Sequence, residues 1–503
     1  MLKSLILNTG SNAGMYFVRT VITFVMTPIF VKNLGAHDYG IWEIVTVAVG
    51  YMGLFDLGIK PAVSRFVAYY KSLMKNDALM AVYSTTMLYM FLLGVVAFAS
   101  GVMVSLIKPE ILIGNANISE RYQWLIFIIG AQLLIMFPGK IAECTLEGYQ
   151  KYYLSNNVTV IFMIISSVLI YKLITPSNAL LMIAAISAIS SSVKYVVFYV
   201  ILKRQSPYPV YFSKHHVSSV AFKEVLRFSL KSFAQAATYT VGMSVDKLVI
   251  TAFDGVNVII YYVLPTNLIR VFDALILTLT QATMPLFSEL HGSDNKEVAK
   301  KYYLFGSKII FSFSSLIGVG TFMMGEKFIG YWIGIEYGNK APPIITGLVI
   351  TTILLSVNPL GHRYLTAMNS HGILAKTNLL YTILLIPTSI ILVKIHGYVG
   401  VAYAGIFPAL IVTPIILNKT CRMIGVEVST YLQRTILPSI LPAICVFMLM
   451  TMVLEYELVG SMVELILHAL IAAVAFFGVY YVIGMRGDEK HLLISKIKSA
   501  FDM

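Results

Sequence analysis

The sequence predicts an all-α polytopic membrane protein of about fourteen transmembrane helices, built as two pseudo-symmetric six-helix lobes followed by two further helices. Three observations carry this reading. Of 503 residues, 58% are hydrophobic and only 12% charged, against roughly 25% charged in an average soluble protein, and the mean hydropathy is +0.81. Apolar stretches of about 20 residues, the length that crosses a bilayer, recur along the whole chain. A pattern in the first pair of stretches returns in the seventh and eighth. A water-soluble globule, a coiled coil and a disordered chain are all excluded by the same composition.

The expected spans are 10–31, 40–59, 79–107, 122–142, 153–174, 178–201, 223–252, 257–288, 302–324, 342–361, 372–394, 398–418, 435–454 and 462–484. The start of the chain lacks the charge pattern of a cleavable signal, so the first span is expected to be retained. With the N-terminus, the even-numbered loops and the C-terminus on one side, that side collects 23 of the 37 Lys and Arg and the other side 7. This asymmetry predicts a multi-pass protein of a bacterial cell (inner) membrane with both termini cytoplasmic. Trp42, Trp124 and Trp332 fall near expected outer helix ends, where indole favours the headgroup layer. The net charge of +13 is then a topology signal, and no nucleic-acid partner is expected. Cys144, Cys421 and Cys445 have no paired spacing, so neither a metal site nor a disulfide framework is expected.

The repeat is read from position. Gly35 ends the first span and Gly255 the seventh; Pro61-Ala-Val-Ser64 is echoed by Pro285-Leu-Phe-Ser288. Six helices separate the copies, so both have the same orientation in the membrane, as in a parallel repeat. The expected organisation is an N-terminal lobe at 1–202, a basic, Pro-bearing cytoplasmic linker at 203–222, a C-terminal lobe at 223–418, and the last two helices with a cytoplasmic tail at 419–503.

Charged residues inside spans mark the expected site, because an ionised group at mid-bilayer costs about 2.5–3.5 kcal/mol on insertion scales. They concentrate in the repeat-related spans: Arg19 in the first, Asp56 and Lys60 near the inner end of the second, Lys231 and Asp246-Lys247 in the seventh, Arg270 and Asp273 in the eighth. Asn12, Tyr16, Arg19, Thr23 and Thr27 recur at helical spacing on one face, and Lys231, Gln235, Thr238, Gly242 and Asp246 recur at the same intervals. Asn267, Arg270 and Gln281 share a face of the eighth span. These residues are expected to line a water-filled cavity. Competing structural roles are an Arg270–Asp273 pair that satisfies itself, snorkelling of Lys231 and Lys247, and a link from Arg19 to a neighbouring helix. Lys60, Arg65, Lys71 and Lys75 are expected to set topology, and His215, His216 and His362 to be solvated.

With Arg19, the turn GAHDYGIW (residues 35–42) and the segment FDLGIKPAVSRF (residues 55–66) in view, the chain resembles the polysaccharide exporters. These are the O-antigen and capsule repeat-unit flippases of the multidrug/oligosaccharidyl-lipid/polysaccharide superfamily. The resemblance implies a MATE-like fold whose first, second, seventh and eighth helices line the cavity. Related lipid II flippases carry cavity arginines on helices one and eight, which Arg19 and Arg270 match; their second-helix arginine has no match. Drug exporters of the superfamily often carry an acid in helix one, where this chain has Arg19.

The function expected from this reading is movement of a polyprenyl-diphosphate-linked oligosaccharide from the inner to the outer leaflet. Arg19, Arg270, Lys231 and Lys247 would hold the diphosphate, and Asn12, Tyr16, Gln235, Asn267 and Gln281 would contact the glycan. Against Asp246 and Asp273 the four cations leave a net +2, suited to an anionic headgroup. No cofactor is expected. The membrane potential suffices as a driving force, with proton or sodium coupling at Asp246 or Asp273 as an addition. The expected partners are the lipid-linked oligosaccharide, the bilayer and polysaccharide polymerase machinery, around a monomer. Three rivals remain open: a multidrug/cation antiporter of the same fold, a membrane polysaccharide polymerase or ligase, and a scaffold without transport. An enzyme is disfavoured because the longest outer loop, 108–121, holds no cluster of catalytic side chains and the chain has no nucleotide-binding motif.

Overall fold

The computed structural model describes residues 2–107, 120–206, 210–242, 244–281, 283–292, 295–368, 370–456, 459–487 and 489–490, and among them every regular element is helical. Most of loop 108–121 and the tail beyond 490 lie outside the described residues, as do the side chains of Lys231, Gln235 and Gln281. Eleven helices are long and apolar enough to cross a membrane. One of them holds the first two expected spans. The remaining two expected spans are present in other forms. The stretch 342–361 contributes the shorter apolar helix Pro342–Leu355, and the charge-bearing stretch 223–252 contributes two helices, Ser219–Gly242 and Val245–Asp254.

The chain forms two compact units, Met1–Ile260 and Tyr261–Met503. In the first, α1 (Leu2–Met52) is one continuous run interrupted at Gly35, whose φ of 67° and ψ of 179° fall in a region essentially restricted to glycine. α2 (Ile59–Ser72) is entered through Gly58, whose N–H is accepted by the Asp56 carboxylate at 2.8 Å. α3 (Asn76–Ile107), α4 (Glu120–Gly148), α5 (Tyr152–Leu173) and α6 (Ala179–Gln205) follow. Small residues set the approach of these helices. A Cβ on Gly139 of α4 would lie 2.5 Å from the Tyr195 ring of α6. Phe137, Ile141 and Ala142 are buried on the same helix, while Val96 and Met103 of α3 are left on the outside, where lipid would cover them.

α7 (Ser219–Gly242) and α8 (Val245–Asp254) complete this unit. The compact division thus falls later in the chain than the 203–222 linker. Side-chain contacts explain it. Arg65 of α2 stacks over the Phe228 ring of α7 at 4.3 Å, and Tyr70 donates to Glu224 at 2.9 Å. Burial and that carboxylate push the Tyr70 pKa up to about 12. The linker itself is tied to α3 by Ser213 and Ser218 N–H groups donating to Ser84 and Thr85 hydroxyls.

The repeat is visible in the backbone. Gly255 has φ 85° and ψ 175°, the conformation of Gly35. The same separation of 220 residues joins His37 to Asn257, whose side chains meet at 2.7 Å. The contact is tight: a Cβ on Gly40 would sit 2.1 Å from the Val256 carbonyl oxygen.

The second unit holds α9 (Ile259–Gln281), α10 (Thr283–Gly292), α11 (Lys296–Trp332), α12 (Ile335–Lys340), α13 (Pro342–Leu355), α14 (Gly361–Ala367), α15 (His371–His396), α16 (Tyr398–Tyr403), α17 (Ile406–Ile424), α18 (Leu437–Glu455) and α19 (Met462–Val479). Asn295 and Ser461 cap α11 and α19 by accepting from Val298 and Glu464 N–H groups. Phe287, Tyr303, Tyr364, Leu417 and Tyr431 form one buried cluster. Met324, Val446, Met450, Phe476 and Tyr480 form a second, which fixes the last two helices to α11.

Candidate transport site

The polar stripe of α1 faces outward from its own unit. Asn12, Tyr16, Arg19 and Thr23 are exposed, and Thr27 is buried. The stripe is anchored at its N-terminal end, where Asn156 of α5 donates to Ser11 (2.9 Å) and Asn12 (2.7 Å). The Thr23 and Thr27 hydroxyls donate to carbonyls one turn back, a local satisfaction that leaves them neutral to lipid or water. Arg19 makes no ion pair among the described residues. A guanidinium with five donors in an apolar helix, exposed and unpaired, requires water or an anionic ligand.

In the second unit α9 repeats this pattern. Ile269 and Phe272 are buried, Asn267 is half-buried, and Arg270 and Asp273 are exposed. Arg270 and Asp273 are within electrostatic reach of each other, but no direct ion pair joins them among the described residues. The i, i+3 spacing therefore does not consume the Arg270 charge.

The seventh expected span holds its charges differently. Lys247 is 4% exposed and its Nζ donates to the Glu43 carboxylate at 2.5 Å, so its charge is neutralised on α1 a little beyond Gly35. Asp246 accepts from the Lys247 N–H at 2.9 Å, at the first turn of α8, where a helix N-terminus favours an anion. Lys231 and Gln235 lie on α7 and Gln281 at the end of α9, with side chains outside the described residues.

Sequence reasoning missed two features. One is a cavity of about 220 Å³ in the second unit, lined by Leu355, Asn358, His362, Asn378, Tyr381 and Thr413. His362 opens onto it, and burial together with the neighbouring Arg363 lowers its pKa below the ordinary 6.5. Its polar lining comes from three separate stretches of chain, so no local motif announces it. The other is a charge cluster around Lys60. Lys60 Nζ lies 3.6 Å from Glu143 and 3.3 Å from Glu147, and Lys140 lies 3.8 Å from Asp56. A helical-face reading of 140, 143 and 147 is the signal that could have found it.

The fold is that of the multidrug/oligosaccharidyl-lipid/polysaccharide superfamily transporters. The chain is similar to the lipid II flippase MurJ in an inward closed conformation, with a TM-score of 0.69, 14% identity, and coverage of 95% of this chain and 98% of that one. It is similar to an inward-facing multidrug resistance MATE family transporter, with a TM-score of 0.66, 14% identity, and coverage of 81% and 94%. A transporter of the superfamily from Pyrococcus furiosus, described as having reverse polarity of its binding pocket, gives a TM-score of 0.60 at 14% identity and coverage of 84% and 96%. No curated protein sequence matches the chain. Residues 5–291, more than half of the sequence, match the family described as polysaccharide biosynthesis protein. This chain, a multi-pass membrane protein with the fold of the superfamily's transporters, belongs to that polysaccharide biosynthesis family.

Proposed function

We propose that the protein is a flippase that moves polyprenyl-diphosphate-linked oligosaccharide from the inner to the outer leaflet for surface polysaccharide synthesis. The observation that carries the reading is that Arg19 and Arg270 are exposed within apolar helices and make no ion pair among the described residues. A forked guanidinium at each of these positions is suited to bind diphosphate oxygens bidentately. Tyr16 and Asn12 on the α1 stripe, Asn267 on α9, and Gln235, Gln281 and Lys231 would meet the glycan or its phosphates. The lipid tail stays in the bilayer, and the two repeats alternate access to the headgroup. The work is transport, with no bond made or broken in the substrate. A polymerase would take the delivered unit at the outer face. Membership of the polysaccharide biosynthesis family supports the substrate class. The Pyrococcus furiosus transporter, whose description infers a different function from reversed pocket polarity, supports reading function from cavity charge.

Complementation of a flippase-null bacterium tests this. Wild type restores surface polysaccharide, and Arg19→Ala or Arg270→Ala slows export so that lipid-linked units accumulate at the inner face. Full export by both variants overturns the cationic-cavity mechanism. Drug resistance without glycan export supports the multidrug antiporter instead.

A further inference from the structure

We propose that Glu143 and Glu147, which share the single ammonium of Lys60, form the proton-exchange site that couples inward proton movement to outward flipping. The inference deepens the flippase reading and rests on it. Lys140, Glu143 and Glu147 are three and four residues apart and occupy one face of α4. Lys140 is taken by Asp56 at 3.8 Å. Lys60 is left with two carboxylates, at 3.6 and 3.3 Å, whose side chains are only 16% and 13% exposed. Two carboxylates thus crowd one ammonium in a poorly hydrated place, with the Lys194 ammonium of α6 the next positive charge within reach of Glu143.

The surrounding elements offer no further ion pair among the described residues. From α5, the Ser155 hydroxyl donates to Glu143 at 3.4 Å, and Tyr152 lies within electrostatic reach of Glu147. On α4 itself the Cys144 thiol is buried beside them. From α6, Lys194 and Tyr195 are within reach of Glu143, but the Lys194 ammonium rests 4.7 Å over the Tyr195 ring instead of closing on a carboxylate. Arg19 of α1 is within reach of Lys194. Adding or removing one proton at the carboxylate pair changes the charge of this enclosed cluster by one unit, which makes the pair the place where a proton has the largest local effect. Lys60, whose side chain is 43% exposed, gives the pair contact with water.

Pro61 corresponds to Pro285, so the mate of Lys60 is Met284, and the ammonium at the centre of the cluster is present in one repeat only.

The test uses the full chain in lipid. In difference infrared spectra between mildly acidic and mildly alkaline buffer, wild type shows a protonated-carboxyl band that Glu143→Gln with Glu147→Gln removes. Lys60→Gln moves the midpoint of that band to more alkaline pH, because loss of the ammonium disfavours the carboxylate. In vesicles with the membrane potential clamped, an acidic outside shifts wild-type lipid-linked oligosaccharide outward by about tenfold per pH unit for one coupled proton. The double Gln variant flips without responding to the gradient. Wild-type flipping that ignores the gradient overturns the inference and leaves the flippase reading standing. A titrating band in wild type that moves no substrate under any gradient overturns the flippase reading and leaves the exchange site standing.

Discussion

Single residues fix the turns on which the repeat is built. Gly255 has positive φ with ψ near 180°, a combination that costs any side chain about 1–3 kcal/mol. Gly255→Ala is therefore expected to lower the thermal midpoint of the purified protein, and Gly35→Ala to do the same, while Gly50→Ala, which meets open space at ordinary φ inside a helix, is expected to hold or raise it. His362 makes a second prediction. Its folded pKa lies below 6.5 through burial and Arg363, so the folded state binds fewer protons than the unfolded one as pH falls. The stability it contributes is complete above 6.5 and is lost as pH drops towards its folded pKa. Melting curves across that window are expected to show an acid-side loss that His362→Gln reduces. His362 is exposed, as its loop position led one to expect, but the cavity it faces is completed by residues of α15 and α17, which its local sequence does not announce.

At the level of elements, the C-terminal hairpin is held by a buried ion pair as well as by apolar packing. Lys308 of α11 is 2% exposed and donates to Glu489 at 2.6 Å, and the Arg486 N–H donates to the same carboxylate at 2.9 Å. Beside them the Ser312 and Ser439 hydroxyls pair at 2.7 Å. Removing one partner strands a charge away from water, so Lys308→Met is expected to cost about 3 kcal/mol or more. The double change with Glu489→Gln is expected to recover part of that loss, measured by denaturation of the protein in detergent. The apolar runs made α3, α18 and α19 legible because nothing but a bilayer span explains about 20 uncharged residues. The division of 223–252 into two helices, the second starting after Ser244, was not legible. A hydropathy window averages over it, and the Asp246 carboxylate that starts α8 reads as an intramembrane charge until its N–H partner is seen. Lys247 was misleading for the same reason: its partner Glu43 lies 204 residues away.

For the whole molecule, charge movement decides what drives export. A diphosphate diester carries about two negative charges, and moving each outward across an inside-negative membrane gains about 2.3 kcal/mol per 100 mV. Two charges give about 5 kcal/mol, enough to bias the inner-to-outer distribution by about 10³-fold with no other energy source. An inward proton at Glu143 and Glu147 adds a third charge to each cycle in the same electrical direction. The steepness of the distribution against an imposed potential therefore counts the charges. With no pH gradient, wild-type vesicles are expected to show the slope of three charges, and the Glu143→Gln, Glu147→Gln protein the slope of two. Arg19→Ala is expected to lower the rate in both backgrounds without changing either slope, because a binding group alters how fast the headgroup crosses and not how much charge crosses with it. A slope of two in wild type would leave the potential as the sole source of work and assign the Lys60 cluster to structure.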